Sequence, residues 1–321
     1  MTRSQARPDR FRVGISSCLL GQEVRWNGAH KRDAWLVETL GPFVEWVPVC
    51  PELEIGLGVP REPIRLEGNP GAPRLVGRES GADLTDRMEA FAARRVEALA
   101  ALDLCGYVLK SDSPTCGMER VKVHGTAGGR PKPGIGLFAR TLMDRLPLLP
   151  IEEEGRLHDP GLRESFIERV FAFRRLRDLL ASRPAAGRLV EFHARHKLQL
   201  MAHDPEGARR LGRIVAGAHG AGGDAAGRYA VSFMETLKRR ATPSRHANVL
   251  QHMLGYLKRT LDAGDKQEIL EAIDEMRLGR LPLVVPLALL RHHLRRHDVR
   301  YLLEQVYLNP HPRELMLRNH A

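Results

Sequence analysis

The sequence predicts two parts of different fold class: an α/β N-terminal part with a mostly parallel, Rossmann-like sheet, and an all-α C-terminal part. In the first half, short apolar stretches alternate with amphipathic stretches of helical spacing, an order typical of βαβ units. From about Asp159 onward, apolar residues recur at helical spacing. We therefore predict an α/β domain over residues 11–150 and a helical domain over residues 159–321.

Three strands are expected in the N-terminal part. "FRVGIS" (11–16) breaks at Ser16-Ser17, "FVEWVPVC" (43–50) stops at Pro51, and "YVLKSD" (107–112) follows Gly106. Strands that alternate with helices of this length form right-handed crossovers and a mostly parallel sheet.

Two helices separate these strands. "DAWLVETLG" (33–41) closes at Gly41, and a long amphipathic helix over residues 81–106 has Asp83 or Thr85 as its N-cap. The Gly- and Pro-rich stretches 68–81 and 125–136 are predicted to be loops.

Composition indicates a folded protein of the cytoplasm. The chain has 321 residues, of which 43% are hydrophobic and 28% charged, so it can bury a core of globular size. Its first residues lack the apolar region of a signal peptide, and no run approaches the roughly 18 apolar residues of a membrane helix. In the cytoplasm, the four cysteines are expected to be thiols or metal ligands rather than disulfides.

The positive charge is concentrated in the C-terminal part. The formal net charge is +11; residues 1–150 carry 21 Lys and Arg against 18 Asp and Glu, and the remainder carries 29 against 21. Such an excess suits a polyanion such as nucleic acid, although a generally arginine-rich proteome would also produce it. "RHHLRRH" (291–297) reads as a basic helix face that meets phosphate or solvent.

Three cysteines follow the three predicted strands: Cys18, Cys50 and Cys116. Because the carboxyl ends of parallel strands share one edge of a sheet, these thiols are expected to converge there. Cys105 precedes the third strand and is expected to be a buried thiol at the opposite edge. The sequence thus predicts a site with three thiolates.

The residues leave the identity of the metal open. Three cysteines can hold a 4Fe–4S cluster and leave one iron free for a substrate. Zinc with three cysteines and either His30 or His124 is a competitor, although zinc sites commonly contain the CxxC pairs that are missing here. A site without metal is the third alternative.

The motifs around these cysteines resemble those of the thiouracil desulfidases. They are "ISSCLLG" (15–21), "VPVCPELEIGLGVPREPIRL" (47–66) and "LKSDSPTCG" (109–117). The C-terminal part resembles the second, uncharacterised domain of YbgA-type proteins through "VLQHMLGYLKRTL", "RLPLVVPLALLRHHL" and "YLLEQVYLNPHPRELMLRN". The fused architecture is similar to that of bacterial tRNA 4-thiouridine de-thiolases.

The resemblance implies an iron–sulfur enzyme that desulfurates 4-thiouridine in tRNA to uridine without net redox change. Cys18, Cys50 and Cys116 would hold a 4Fe–4S cluster whose fourth iron takes the substrate sulfur while water attacks C4. Glu52 of "CPE" and Ser113 of "SPTC" would be the catalytic partners of the base. Val24 stands where some members have a further cysteine, which a three-ligand site does not need.

Five further residues are candidates for substrate binding. Lys110 could favour developing negative charge, although it could equally be a surface lysine. The loop "WNGAHKRD" could bind a phosphate or a base, or could cap the following helix, through Asn27, His30, Lys31 and Arg32.

The size of the substrate and two rival functions stay open. A free thiouracil is uncharged, whereas the negative charge of an RNA backbone complements the net charge of +11 on the chain. We therefore prefer tRNA bound by the helical domain over a free base or nucleotide. The rivals are a zinc-stabilised nucleic-acid-binding protein without catalysis and an interaction protein whose helical domain recruits a partner. Neither rival needs an open coordination site.

Overall fold

The structure is a computed structural model that describes residues 10–125, 129–219 and 225–319. Contacts divide the chain into two compact units, Met1–Asp159 and Pro160–Ala321. The first, called the N-terminal unit, is α/β, and the second, called the helical unit, consists of helices in its described residues. The predicted fold class is therefore confirmed.

Eight strands form two sheets in the described part of the N-terminal unit. The strands are β1 (Phe11–Ser16), β2 (Val44–Val49), β3 (Ile64–Asn69), β4 (Ala72–Gly77), β5 (Tyr107–Leu109), β6 (Val121–His124), β7 (Lys132–Gly134) and β8 (Ile151–Glu153). The first sheet has the order β2-β1-β5-β8 and all its strands are parallel. The three strands predicted from the sequence are β1, β2 and β5, and they lie next to each other in this sheet.

A glycine allows β1 and β5 to approach closely. Gly14 of β1 pairs with Tyr107 of β5, and a Cβ atom on Gly14 would lie only 2.1 Å from the Tyr107 ring. The ring is fully buried. A side chain at position 14 would therefore push apart the two strands that precede Cys18 and Cys116.

In its described residues this unit has three α-helices: α1 (Pro51–Glu54), α2 (Thr85–Ala100) and α3 (Leu137–Arg145). The predicted helix over 33–41 is a short π-helix, Trp35–Leu40. The long predicted helix is α2, but its predicted N-cap is wrong because Leu84 holds that position. Asp83 instead accepts hydrogen bonds from the amide and the hydroxyl of Thr85.

The second sheet corrects the prediction that residues 68–81 form a loop. Its order is β4-β3-β6-β7, and β3 and β4 form an antiparallel hairpin from Ile64↔Gly77 to Asn69↔Ala72. The turn signals Asn69 to Gly71 mark only the tip of this hairpin, since Leu75 of β4 is fully buried. The second predicted loop, 125–136, contains β7, and its residues 126–128 lie outside the described residues.

The helical unit contains eight α-helices in its described residues. They are α4 (Pro160–Ala181), α5 (Ala186–His203), α6 (Pro205–Ala216), α7 (Ala225–Lys238), α8 (Pro243–Leu257), α9 (Ala263–Arg277), α10 (Val284–Arg296) and α11 (Arg300–Leu303). Apolar side chains of α5, α8, α9 and α10 form one hydrophobic core, and Leu250, Ile273 and Leu290 are fully buried in it. Within the described residues, none of the helices is long and apolar enough to cross a membrane.

Candidate functional site

Three of the four cysteines lie at one edge of the parallel sheet. Cys18 is in the 3-10 turn Ser17–Leu20 after β1, Cys50 directly follows β2, and Cys116 lies in the loop after β5. Because β2, β1 and β5 are neighbours, their carboxyl ends bring the three residues to one place. All three line one cavity with a volume of about 430 Å³. The structure thus brings together the cysteines that follow the predicted strands.

Cys105 lies apart from this cavity. It comes before β5, at the opposite edge of the sheet, and is 3% exposed. Its sulfur lies 3.9 Å from the carbonyl oxygen of Asp103. Cys105 is therefore a buried thiol, as predicted, and it provides a matched control for the three cavity cysteines.

Burial favours the protonated form of the three cavity thiols. Burial raises the pKa of Cys18 to about 11 and that of Cys116 to about 12, and it also raises the pKa of Cys50. Lys110 and Arg25 lower the pKa of Cys18, but burial is the larger effect. Since metals bind thiolates, a metal bound by these cysteines would displace their protons.

Glu52 is held from two sides at the wall of the cavity. One carboxylate oxygen accepts a hydrogen bond from the guanidinium of Arg61, and the other accepts one from the Thr115 hydroxyl at 3.0 Å. Arg61 is itself fixed, because it also donates to the carbonyl oxygens of Val24 at 2.9 Å and Gly58 at 2.8 Å. The side chains of Glu52 and Arg61 are only 16% and 5% exposed. Glu52 is therefore an oriented carboxylate and not a solvated one.

Ser113 shapes the turn that carries Cys116. Its hydroxyl oxygen accepts hydrogen bonds from the backbone amides of Thr115 at 3.3 Å and Cys116 at 3.1 Å. Its carbonyl oxygen accepts from the amide of Gly117 at 2.9 Å. Because Ser113 also lines the cavity, it can both position the cysteine and face a ligand.

Lys110 is not a surface lysine. Its ammonium forms an ion pair with Glu154 and donates to the carbonyl oxygen of Ser111 at 2.9 Å, and its side chain is 18% exposed. Glu154 also accepts from the Ser111 amide at 2.7 Å. The neighbouring Glu153, whose pKa is raised by burial, accepts from the Met118 amide at 2.7 Å. The end of β8 thus anchors both ends of the loop that carries Ser113 and Cys116.

The structure places three predicted substrate-binding residues outside the cavity lining. Asn27 accepts from the amide of Ala29 at 3.2 Å, and His30 Nδ1 accepts from the amide of Arg32 at 3.2 Å. Arg32 forms an ion pair with Glu38 at 2.9 Å. These exposed groups stabilise their own loop and the helix after it, which is the alternative role given to them above.

Lys31, the fourth candidate of this loop, does line the cavity, and so do Arg25 and Trp26 of the same segment. Trp26 is 43% exposed, and it is one of only three tryptophans in the chain. A large aromatic residue in a polar loop is a signal that could have identified it. Arg61 offered no comparable signal, because its partner Glu52 is nine residues away and meets it only in the folded chain.

The two histidines proposed as a fourth zinc ligand do not line the cavity. His30 is exposed in its loop, and His124 belongs to β6 of the second sheet. Among the residues that the structure describes, no three His, Cys, Asp or Glu side chains are arranged to hold a single metal ion. The Cys, Asp and Glu residues that line the cavity are the three cysteines, Glu52 and Asp112.

Comparisons with known proteins divide the chain in the same way as its contacts. The model of the 2-thiouracil desulfurase family matches residues 13–154. The model of DUF1722, a protein family of unknown function, matches residues 197–312.

Two curated bacterial proteins are similar to parts of the chain. The uncharacterized protein YbgA of Escherichia coli (strain K12) is 32% identical over 158 residues, which is 49% of this chain and 94% of YbgA. The uncharacterized protein YbbK of Bacillus subtilis (strain 168) is 33% identical over 133 residues, which is 40% of this chain and 87% of YbbK.

A solved structure of a 4Fe–4S-dependent thiouracil desulfidase, TudS, is 28% identical, covers 49% of this chain and 99% of its own, and has a TM-score of 0.38. The two family models together match parts of both units. The chain belongs to the 2-thiouracil desulfurase family and carries, after that domain, a second domain of the DUF1722, YbgA type.

Proposed function

We propose that this protein desulfurates 4-thiouridine in tRNA to uridine, with a 4Fe–4S cluster held by Cys18, Cys50 and Cys116. One observation carries the proposal: three thiols that follow three adjacent parallel strands line one cavity together with an oriented carboxylate. Membership of the 2-thiouracil desulfurase family supports desulfuration as the reaction class.

The donor set of the cavity fits the cluster. Thiolates are the ligands that iron–sulfur clusters prefer, and three of them leave one iron open. The cavity that the three thiols line has a volume of about 430 Å³, which is more room than a single ion needs. When bound, the cluster supplies an iron that can take a thiocarbonyl sulfur and withdraw electrons from the carbon that bears it.

Glu52 is the general base of the proposed reaction. Water attacks C4 of the base, a proton passes to the carboxylate, and the C–S bond breaks as the C–O bond forms. The overall change is the exchange of C=S and water for C=O and hydrogen sulfide, so no electron donor or acceptor is required. Arg61 and Thr115 hold the two oxygens of Glu52 and thereby keep it aimed into the cavity.

Three further residues of the cavity wall would hold the base. Ser113 can meet the polar edge of the ring, and Lys110 can stabilise negative charge that develops on it. Trp26, half-exposed at the same wall, can stack on the ring, an interaction that tolerates any base.

The charge of the chain favours an RNA substrate. Residues 151–321 carry 29 Lys and Arg against 21 Asp and Glu, and each phosphate that a cation neutralises adds affinity through counterion release. The rival substrate is a free thiouracil or thio-nucleotide, which the description of the matched family favours. All four cysteines are free thiols, which suits a reducing compartment such as the cytoplasm.

The test is an anaerobic desulfuration assay. The full chain is reconstituted with iron and sulfide and is given tRNA that contains 4-thiouridine or, separately, free thiouracil; loss of thiobase absorbance and release of sulfide are followed. We expect turnover of tRNA by the wild type and by Cys105→Ala, and none by Cys116→Ala. Turnover of the free base alone would overturn the RNA substrate, and turnover by Cys116→Ala would overturn the proposed site.

A further inference from the structure

A second cavity, in the helical unit, is lined by arginines from two elements. It has a volume of about 500 Å³, and its lining residues are Ala288, Arg291, His292, Arg295, Arg296 and Arg313. Five of these belong to α10, while Arg313 begins the 3-10 turn Arg313–Leu315. We call this cavity the arginine pocket. In the described part of the chain, no Asp or Glu is among its lining residues.

The positive charges of the arginine pocket lie close to one another. Arg291 and Arg295 are four residues apart on α10, a spacing at which like charges destabilise a helix. Burial and, to a smaller extent, the neighbouring positive charges of Arg313 and Arg295 lower the pKa of Arg291 to about 10. The folded chain therefore holds these cations together at an energetic cost, which a bound anion would offset.

The helix dipole explains only part of this arrangement. Cations near the C-terminus of a helix are stabilised by the dipole, and Arg295 and Arg296 lie in the last turn of α10. The dipole of α10 does not explain why Arg313, which belongs to another element, lies beside these two arginines. Arg313 donates to the side-chain oxygen of Asn309 at 3.2 Å, a neutral partner that does not compensate its charge, and no ion pair of Arg313 is found among the described residues.

Arg291 is fixed in place and keeps an unused donor. Its guanidinium donates to the carbonyl oxygen of Leu308 at 2.8 Å, which orients the group. Its Nε is buried and, within the described residues, has no hydrogen-bond partner. Arg295 and Arg296 are exposed, so their guanidinium groups can turn toward a ligand.

We propose that the arginine pocket binds a phosphate group of an RNA backbone. Planar guanidinium groups bind phosphate oxygens through paired hydrogen bonds, and several of them around one concave surface match the charge of a phosphodiester. The identification of the ligand as RNA rests on the function proposed above, whereas the recognition of phosphate rests on the pocket itself.

The test measures binding of the full chain to tRNA without 4-thiouridine. Fluorescence anisotropy of labelled tRNA is recorded over a series of KCl concentrations for the wild type and for the double variant Arg295→Ala/Arg296→Ala. We expect affinity to fall roughly tenfold or more, and the slope of log affinity against log salt to decrease by about 2, because two phosphate contacts are lost. The variant Arg295→Lys/Arg296→Lys should keep the wild-type slope.

The matched control is the double variant Arg277→Ala/Arg280→Ala. These residues also belong to the helical unit, but they are paired with Asp274 at 3.2 Å and Glu275 at 3.0 Å. Removing the same number of positive charges there should change affinity less than about twofold. Equal losses in the two double variants would overturn the pocket as a specific site and leave only a general effect of net charge.

Two further measurements separate the ligand and the reaction. Calorimetric titration with inorganic phosphate tests whether a free phosphate is the ligand. If Arg295→Ala/Arg296→Ala lost tight phosphate binding but kept the wild-type affinity for tRNA, RNA would be overturned as the ligand of the pocket. Sulfide release from tRNA that contains 4-thiouridine is recorded in parallel for the wild type reconstituted with iron and sulfide. Its absence would refute the proposed desulfuration but leave the anisotropy result valid, so failure of either proposal is recognised separately.

Discussion

Glu52 shows how much of a catalytic position depends on its partners. Its place in "CPE" is readable from the sequence, but the groups that orient it, Arg61 and Thr115, are 9 and 63 residues away along the chain. Their identity follows from the fold, because no local pattern joins positions so far apart. For the same reason no local pattern links Lys110 to its partner Glu154, which lies beside it only in the folded chain.

We predict that Glu52→Gln lowers the rate of sulfide release roughly 100-fold or more, the usual contribution of a general base. Glutamine keeps the size of the side chain and can still accept a hydrogen bond from Arg61. The iron and sulfide content of the reconstituted protein should therefore not change. Rates are measured by sulfide release under anaerobic conditions.

The matched control for this substitution is Glu45→Gln. Glu45 is an exposed residue of β2 that pairs with Arg12 at 3.4 Å, and it is not among the residues that line the cavity. Its substitution should leave the rate within a factor of two of wild type. An unchanged rate in Glu52→Gln would show that another group takes the proton.

At the scale of elements, the loop that carries Cys116 is confined by the start of α3. Gly136 is the N-cap residue of this helix, and a Cβ atom there would lie 2.5 Å from the backbone carbonyl of Thr115 and 3.0 Å from the Cys116 nitrogen. Its φ of −63° is open to any residue, so only the close approach requires glycine. α3 thus sets where the cysteine loop can lie.

Gly136→Ala should therefore displace the Cys116 loop. We expect it to lower the free energy of unfolding by about 1–3 kcal/mol, the usual cost of overpacking, and to reduce the iron bound on reconstitution. Chemical denaturation and iron analysis measure the two effects.

Gly41→Ala is the control, since its Cβ would meet its nearest atoms at 3.5 Å, an ordinary contact distance. Both its stability and its iron content should stay near wild type. Full iron loading by Gly136→Ala would show that the loop can move without harm to the site.

At the scale of the whole molecule, three buried histidines make the helical unit sensitive to acid. Burial lowers the pKa of His196 and His246 to about 3 and that of His311 to about 4. In the unfolded chain each would titrate near 6.5. Between these values the unfolded state binds more protons, so stability is complete above about pH 6.5 and is lost as the pH falls toward 4. At pH 5 the loss is roughly 2 kcal/mol for each histidine.

Two other buried groups act in the opposite direction. Burial raises the pKa of Glu164 to about 7, and Glu168 raises the pKa of His203 against the effect of burial. Both groups add stability as the pH falls, but they are fewer than the three histidines. The net effect is destabilisation on acidification.

His246→Asn should reduce this pH dependence. Asparagine can keep the hydrogen bond to the Tyr307 hydroxyl, which is 2.9 Å from His246 Nδ1, but it has no proton to bind. We expect the loss of unfolding free energy between pH 7.5 and pH 5 to shrink by roughly 2 kcal/mol. Urea denaturation of the full chain, followed by circular dichroism at both pH values, measures it.

His252→Asn, on the exposed side of the same helix, is the control and should keep the wild-type pH dependence. If His246→Asn behaved in the same way, protonation of the buried histidine would not be the source of acid lability.

The sequence by itself determined the fold class, the three strands that precede cysteines and the helical character of the second unit. These features follow from local periodicity and from the rule that parallel strands end at one edge. It also singled out Glu52 and Ser113, because short motifs carry them. The family that these motifs resemble is the one that the comparisons found.

The tertiary structure alone decided which side chains meet across distant segments. It replaced Asn27, His30 and Arg32 with Trp26 at the cavity wall, and it showed that a predicted loop is the β3–β4 hairpin. It also joined Arg313 to α10 in the arginine pocket. Periodicity reports which face of an element is apolar, whereas contacts between segments depend on how those faces pack in three dimensions, and that information is not local in the chain.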